Sequence, residues 1–207
     1  MADASDTSTT DTSTTKTKNT KSRPTIVVFA GSARKDSFNK KLAKAAATIA
    51  ESKGLDVTLL DLADFDAPVY NGDIEDASGL PESMRKLKAI LVSHDGFLIS
   101  TPEYNGHVPP LLVNCFGWAS RPEGDEKGMI AYKGKVAGLM AASPGKLGGI
   151  RVLPRLRSTL SDLGIMVVPG FVTLPFAEEA FDDNDGVSEQ IAASIGALVE
   201  RLEDAIT

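Results

Sequence analysis

The stretch Thr25-Ile-Val-Val-Phe-Ala30 decides the fold, because it is short, apolar after Thr25 and rich in β-branched residues. Such a run is typical of a parallel strand that is buried on both faces of a sheet. Residues 38–53 follow with apolar side chains at helical spacing, and Gly54 is a suitable terminator. The order of strand and then helix predicts the beginning of an alternating α/β fold.

The same alternation continues to the end of the chain. Further strands are predicted over residues 55–60, 96–100, 135–142 and 165–172, the last interrupted by Pro169-Gly170. Helices are predicted over residues 81–94, from 109 or 110 to about 119, and over 149–163 and 188–206, with loops over 61–80 and 121–133. Five strands alternating with helices predict a flavodoxin-like, doubly wound parallel sheet in a three-layer α/β/α arrangement.

Composition separates a polar beginning from one globular domain. The 207 residues are 42% hydrophobic and 24% charged, as expected of a soluble domain with its own core. Residues 1–22 contain no aromatic or β-branched aliphatic residue and cannot bury enough apolar area to offset the entropy of ordering. We therefore expect a disordered polar tail over residues 1–22 and a folded domain over 23–207. A regulatory or phosphorylated tail is the alternative.

Charge and cysteine content exclude several classes of function. A net charge of -6 argues against nucleic acid or an anionic membrane as the main partner. The single cysteine, Cys115, excludes an internal disulfide and a cysteine-rich metal or iron–sulfur site, and it is consistent with the cytoplasm. Cys115 itself is predicted to be a small buried apolar residue. A small molecule is the expected partner, and no metal site is predicted.

The turn after the first strand is suited to an anion. Gly31-Ser-Ala-Arg-Lys-Asp-Ser-Phe-Asn39 leads into a helix, whose amino-terminal N–H groups attract negative charge. Ser32, Ser37 and Asn39 add donors, and Arg34 adds a planar guanidinium suited to phosphate oxygens. The alternative is an ordinary loop in which Ser37 caps the helix. Neither GxxxxGK[ST] nor GxGxxG is present, which disfavours a nucleoside triphosphate or a dinucleotide.

A second polar turn follows the third strand. Ser100-Thr-Pro-Glu-Tyr-Asn-Gly106 and the following His107-Val-Pro-Pro110 contain prolines and an Asn-Gly step that make the turn stiff. The carboxyl ends of strands are where ligands bind in open α/β sheets. A stiff turn with outward-facing backbone donors and acceptors suits a flat, hydrogen-bonding ring.

Taken together, Gly31-Ser-x-Arg-x-x-Ser-x-Asn39 and Pro102-Glu-Tyr-Asn-Gly106 strongly resemble the NAD(P)H-dependent FMN reductase family, which includes bacterial chromate and quinone reductases and eukaryotic flavin or azo reductases. The resemblance runs from about residue 25 to at least 174. It implies that the first turn holds the FMN phosphate and the second lines the isoalloxazine. A third segment, residues 143–149, would lie near the ring, although a plain strand-to-helix turn is the alternative. The implied cofactor-binding residues are Ser32, Arg34, Ser37, Phe38, Asn39, Pro102, Glu103, Tyr104, Asn105, Gly106, Ser143 and Gly145.

The resemblance also implies a reaction. NAD(P)H would reduce bound FMN, and a small acceptor (a flavin, a quinone, an azo compound or a chromate-like oxyanion) would then take two electrons in the same place. No side chain is expected to act as a catalytic acid, base or nucleophile. A flavodoxin-type electron carrier that binds FMN without oxidising NAD(P)H is the main alternative, and a sensor or scaffold without cofactor is a third. Family members are usually homodimers or homotetramers, and residues 110–119 and 121–133 are the candidate interface.

Two positions depart from the family pattern. His107 stands where a small residue is common, and Pro110 stands where a glycine is common. An imidazole there would narrow the acceptor pocket or change the proton balance near the flavin. The alternative is that His107 faces solvent or a subunit contact. We expect these two positions to set the substrate preference.

Overall fold

The computed structural model describes residues 23–207, so the tail predicted over residues 1–22 lies outside the described residues. One sheet of five parallel strands has the order β2-β1-β3-β4-β5, which confirms the flavodoxin-like fold. The strands are β1 (Thr25–Ala30), β2 (Asp56–Leu60), β3 (Gly96–Ser100), β4 (Val136–Ala142) and β5 (Met166–Leu174).

Helices cover both faces of this sheet. Side chains of α1 and α6 form the apolar core on one face, and side chains of α3, α4 and α5 form the core on the other. Within residues 23–207, no helix is both long enough and apolar enough to span a membrane. The helices are α1 (Phe38–Ser52), α2 (Gly72–Ser78), α3 (Glu82–Ser93), α4 (Pro110–Ala119), α5 (Val152–Asp162) and α6 (Glu189–Ile206).

The central strands explain why the apolar runs in the sequence are continuous. Along β1, Ile26 and Val28 pack into the core beneath α1 and α6, whereas Val27 and Phe29 pack into the core on the opposite face. Every residue of β3 and β4 is buried, while the edge strands β2 and β5 are partly exposed. Burial on two faces selects apolar residues at successive positions, so these strands show no alternation.

The prediction that residues 61–80 form only a loop is wrong. This segment contains a 3-10 turn (Leu62–Asp64) and the short helix α2. Asn71 caps α2, since its side chain accepts a hydrogen bond from the Asp73 N–H. No residue of α2 is buried, so the helix has no apolar stripe by which the sequence pattern could reveal it.

Two other boundaries differ from the sequence prediction. Helix α5 begins at Val152 rather than at residue 149, because Gly148 and Gly149 have the left-handed φ values of 57° and 79°. The fifth strand was predicted to be interrupted at Pro169-Gly170, but β5 continues to Leu174 through a bulge. An edge strand tolerates proline at such a bulge, since no neighbour needs its missing N–H.

Candidate functional site

Three loops leave neighbouring strands at the carboxyl edge of the sheet. They follow β1, β3 and β4 and cover residues 31–37, 101–109 and 143–151. Backbone hydrogen bonds hold the start of each loop to the next strand: Gly31 N–H donates to Ser100 O (2.8 Å), Thr101 N–H to Met140 O (2.9 Å), and Ser143 N–H to Leu174 O (3.1 Å). The sequence placed polar residues on all three loops, and the strand order brings them side by side.

The loop after β1 presents hydrogen-bond donors at the amino terminus of α1. Ser37 is the N-cap residue, as one alternative predicted, but its hydroxyl makes no capping hydrogen bond. The N–H groups of the first turn have no partner within the helix and remain available. Ser32 and Ser37 are buried, and Arg34 is exposed with no carboxylate partner among residues 23–207. This arrangement can accept an anion.

Asn39 has a different role from the other polar residues of this loop, because its side-chain amide is used inside the protein. Its Nδ2 donates to Ala142 O (2.9 Å), and its Oδ1 accepts from Ala142 N–H (2.9 Å) and from Ser100 Oγ (2.9 Å). All three residues are buried. The amide therefore joins the first turn of α1 to the ends of β3 and β4, and the second N–H of Nδ2 and the backbone N–H of Asn39 remain for an anion.

The loop after β3 contains a tight turn with a fixed shape. Tyr104 and His107 exchange two backbone hydrogen bonds of 3.0 and 2.9 Å, and they enclose Asn105 and Gly106. Both enclosed residues have positive φ, at 53° and 76°. Asn-Gly is the sequence preferred where two successive residues must be left-handed. The stiffness expected from the sequence thus has a definite backbone cause.

An ion pair connects this turn with α5. Arg151 donates to Oε1 of Glu103 through Nε (2.7 Å) and through a shorter contact from Nη2. The hydrogen bond and the carboxylate charge raise the pKa of the Arg151 guanidinium. Glu103 Oε2 is buried and has no hydrogen-bond partner among the described residues. Buried carboxylate oxygens are normally paired, so this oxygen is an acceptor suited to a ligand donor.

The three loops enclose two adjoining cavities that share Glu103 and Ser143. The small cavity, of about 190 Å³, lies at the loop after β1, and the large cavity, of about 750 Å³, lies between the other two loops. The large cavity is within the range of roughly 300–1,000 Å³ that is usual for small-molecule sites. The small cavity is lined by Ser32, Arg34, Ser37, Phe38, Asn39, Pro102, Glu103, Tyr104, Ala142, Ser143 and Pro144. The large cavity is lined by Glu103, Asn105, Gly106, Ser143, Gly145, Lys146, Leu147, Gly149, Arg151 and Arg155.

All twelve residues predicted to contact a cofactor line one of these cavities. That they bind a cofactor stays a prediction. The sequence analysis did not single out Arg151 and Arg155, which reach the large cavity from the beginning of α5. Their spacing of four residues directly after the predicted third loop places them on one helix face and could have revealed them.

His107 and Pro110 do not have the position that was expected of them. Both residues are exposed, and neither lines either cavity. Pro110 is the first residue of α4, where its missing N–H costs no helical hydrogen bond. These two residues therefore do not shape the cavity walls, which fits the alternative that His107 faces solvent.

Cys115 lies on α4 and is buried, which confirms that it packs as a small apolar residue. Burial raises the pKa of its thiol from 9.0 to about 11. Within residues 23–207, no group of three or more His, Cys, Asp or Glu side chains is placed to hold a metal ion. The described part of the chain thus offers neither a reactive thiolate at neutral pH nor a metal cluster.

Cys115 is expected to make the protein less stable in alkali. Above pH 9 the thiol ionises in the unfolded chain but stays protonated in the folded protein until about pH 11. The free energy of unfolding should therefore fall over this range, on the order of 2 kcal/mol from this group. Burial also raises the pKa of Tyr132 and adds to the slope. Urea unfolding measured at pH 8.5 to 11 should show a shallower decline in Cys115→Ala, and an unchanged decline would contradict the assignment.

Comparisons with known proteins identify relatives of this chain. The sequence profile of a family described as NADPH-dependent FMN reductase matches residues 24–179. A quinone reductase of Pseudomonas putida is 32% identical over 180 residues, covering 86% of this chain and 92% of that protein. A 2-hydroxy-1,4-benzoquinone reductase of a Burkholderia species is 36% identical over 143 residues, covering 69% of this chain and 73% of that protein. The structure of FerB, a flavoenzyme NAD(P)H:(acceptor) oxidoreductase from Paracoccus denitrificans, superposes with a TM-score of 0.72 at 31% identity, covering 87% of this chain and 98% of that one.

Proposed function

The chain belongs to the NADPH-dependent FMN reductase family and is an FMN-dependent oxidoreductase, and we propose that its principal acceptors are quinones. Two electrons would pass from NAD(P)H through bound FMN to the quinone. The observation that carries this proposal is the pair of adjoining cavities, one with anion donors and one between the loops that follow β3 and β4. Each cavity matches one end of an FMN molecule.

The residues of the small cavity fit the phosphate of FMN. We assign the phosphate to the first-turn N–H groups of α1, the hydroxyls of Ser32 and Ser37, and the Arg34 guanidinium. Phe38 lines the same cavity with an apolar face. Asn39 contributes its backbone N–H and the second N–H of Nδ2, since the rest of its amide is bonded to Ala142 and Ser100.

The two other loops fit the ring. Residues 102–106 would line one edge, largely through the main chain, and Ser143 and Gly145 would approach from the loop after β4. The unpaired Oε2 of Glu103 is suited to the imide N–H of the isoalloxazine. When bound, FMN supplies a centre that accepts a hydride and returns two electrons. The side chains of this site bind and orient, and none is assigned as a catalytic acid or base.

Quinones are proposed because of the relatives and the shape of the site. Two relatives are named for quinone reduction, and the large cavity, of about 750 Å³, has a volume usual for a small-molecule site. We further propose that the protein works in the cytoplasm as a homodimer or homotetramer. Helix α4 and residues 121–133 are the proposed contact, and Val113 on α4 is an exposed apolar side chain there.

Anaerobic reduction of the purified flavoprotein tests the proposed function. NADPH or NADH should bleach the flavin absorbance within seconds to minutes, and 1,4-benzoquinone added afterwards should restore it. A yellow protein that neither nucleotide bleaches would instead be a flavodoxin-type carrier. A colourless protein that takes up no FMN on titration would support the sensor or scaffold alternative.

A further inference from the structure

The large cavity is lined by more positively charged side chains than carboxylates. Three cationic side chains line it, Lys146, Arg151 and Arg155, against a single carboxylate, Glu103. Arg151 is neutralised by its ion pair with Glu103. Neither Lys146 nor Arg155 has a carboxylate partner within residues 23–207.

Arg155 is held in place beside the ring-binding turn. Its Nη1 donates to the Arg151 carbonyl at 2.7 Å, which fixes the guanidinium along α5. A Cβ atom built on Gly106 would lie 4.0 Å from the same Nη1, so the guanidinium borders the Asn105-Gly106 turn. The other guanidinium N–H groups of Arg155 make no hydrogen bond with the described residues. They remain available as a planar pair of donors for an anion.

This cluster is separate from the proposed phosphate site of FMN. That site lies in the small cavity and has its own cation, Arg34, and the linings of the two cavities share only Glu103 and Ser143. The chain as a whole has a net charge of -6 and repels anions. A local excess of positive charge in a concave site therefore favours a second anionic group, one that arrives with the substrate.

We propose that Lys146 and Arg155 bind the 2′-phosphate of NADPH and make the enzyme prefer NADPH over NADH. This inference rests on the proposed function, and it takes the nicotinamide nucleotide to enter the large cavity at the same place as the quinone. A phosphate monoester carries between one and a half and two negative charges near neutral pH, which matches two unpaired cations. Each phosphate of the pyrophosphate bridge carries only one. Arg155 supplies the bidentate contact and Lys146 a mobile point charge.

The test compares the binding of two nucleotides that differ only in this phosphate. FMN-loaded protein is titrated calorimetrically with NADP⁺ and with NAD⁺, for the wild type, Arg155→Ala, Lys146→Ala and the double variant. We expect the Kd for NADP⁺ to rise about tenfold for each cation removed, as is usual for a lost hydrogen bond to a charged group. The Kd for NAD⁺ should change less than about twofold. Raising the ionic strength should weaken NADP⁺ binding most in the wild type.

Arg157→Ala is the matched control, because Arg157 is an exposed arginine of the same helix that does not line the cavity. It should leave both Kd values unchanged. Equal weakening of NADP⁺ and NAD⁺ in the double variant would assign the cations to the pyrophosphate and overturn the proposal. A wild type that binds both nucleotides equally would also overturn it. Failure of the proposed function gives a distinct result, since neither nucleotide would then bleach the wild-type flavin.

Discussion

Replacement of Asn39 by leucine is expected to lower the free energy of unfolding by about 4 kcal/mol and to yield protein that does not retain FMN. Leucine has a similar shape but leaves the Ala142 N–H, the Ala142 carbonyl and the Ser100 hydroxyl buried without partners. A buried polar group without a partner costs about 1–3 kcal/mol. Urea unfolding measures the first effect, and the ratio of flavin to protein absorbance measures the second.

Asn114→Leu is the matched control for this experiment. The Asn114 amide also makes two hydrogen bonds to the backbone, accepting from Tyr70 N–H (2.8 Å) and donating to Pro68 O (3.0 Å). It lines neither of the two cavities of the candidate site. The control should lose stability and keep its flavin. If Asn39→Leu retained FMN with wild-type affinity, Asn39 would not be the residue that holds the site together.

The second large effect is expected at Gly31, where Gly31→Ala should cost about 3 kcal/mol and displace the loop that follows β1. A Cβ atom at Gly31 would lie 2.6 Å from Cδ1 and 2.8 Å from Cγ of Leu112, which is fully buried on α4. Neither the added methyl group nor the Leu112 side chain can move away unless the surrounding core repacks. Thr101 Oγ1, at 3.1 Å, needs to move only slightly. Thermal and urea unfolding of the variant, with flavin content, provide the measurement.

A second substitution identifies the cause. Leu112→Ala removes the clashing atoms and by itself should cost about 3 kcal/mol. If the clash is the reason, the double variant should be about as stable as Leu112→Ala, far from the sum of the two losses. Gly72→Ala is the control, because a Cβ there meets no atom within 4 Å. Additive losses in the double variant would mean that Gly31 is required for another reason.

Much of the fold was predictable, because a strand that is buried on both faces of the sheet appears in the sequence as a continuous apolar run. The runs at β1, β3 and β4 are apolar without interruption, and their bounds were predicted within one residue. Helix α2 and the true start of α5 were not predictable in this way. The first buries no side chain, and the second depends on backbone angles at Gly148 and Gly149 that the residue type permits but does not impose.

The candidate site was predictable to the extent that its residues lie at strand ends. Ser32, Arg34 and Glu103 follow apolar runs directly, so the strand pattern also locates them. The spacing of Arg155 from Arg151 is a signal in the sequence, but whether that helix face turns toward the cavity depends on how α5 packs. The internal role of Asn39 was also hidden, since the same amide would suit a phosphate or the backbone of β4. Sequence order does not indicate which partner an amide will have.

The hydrogen bonds of the Asn39 amide have a consequence for which positions of the site can be substituted without loss of the cofactor. FMN has a fixed length from phosphate to ring, so the parts of the protein that bind its two ends must keep a constant separation. Under the proposed assignment, Asn39 helps to fix that separation, because it links the first turn of α1 to the ends of β3 and β4. Lys146, Leu147 and Arg155 also line the large cavity but take no part in this link. Under the same assignment, substitution at such positions should change the substrate range and leave FMN binding unchanged.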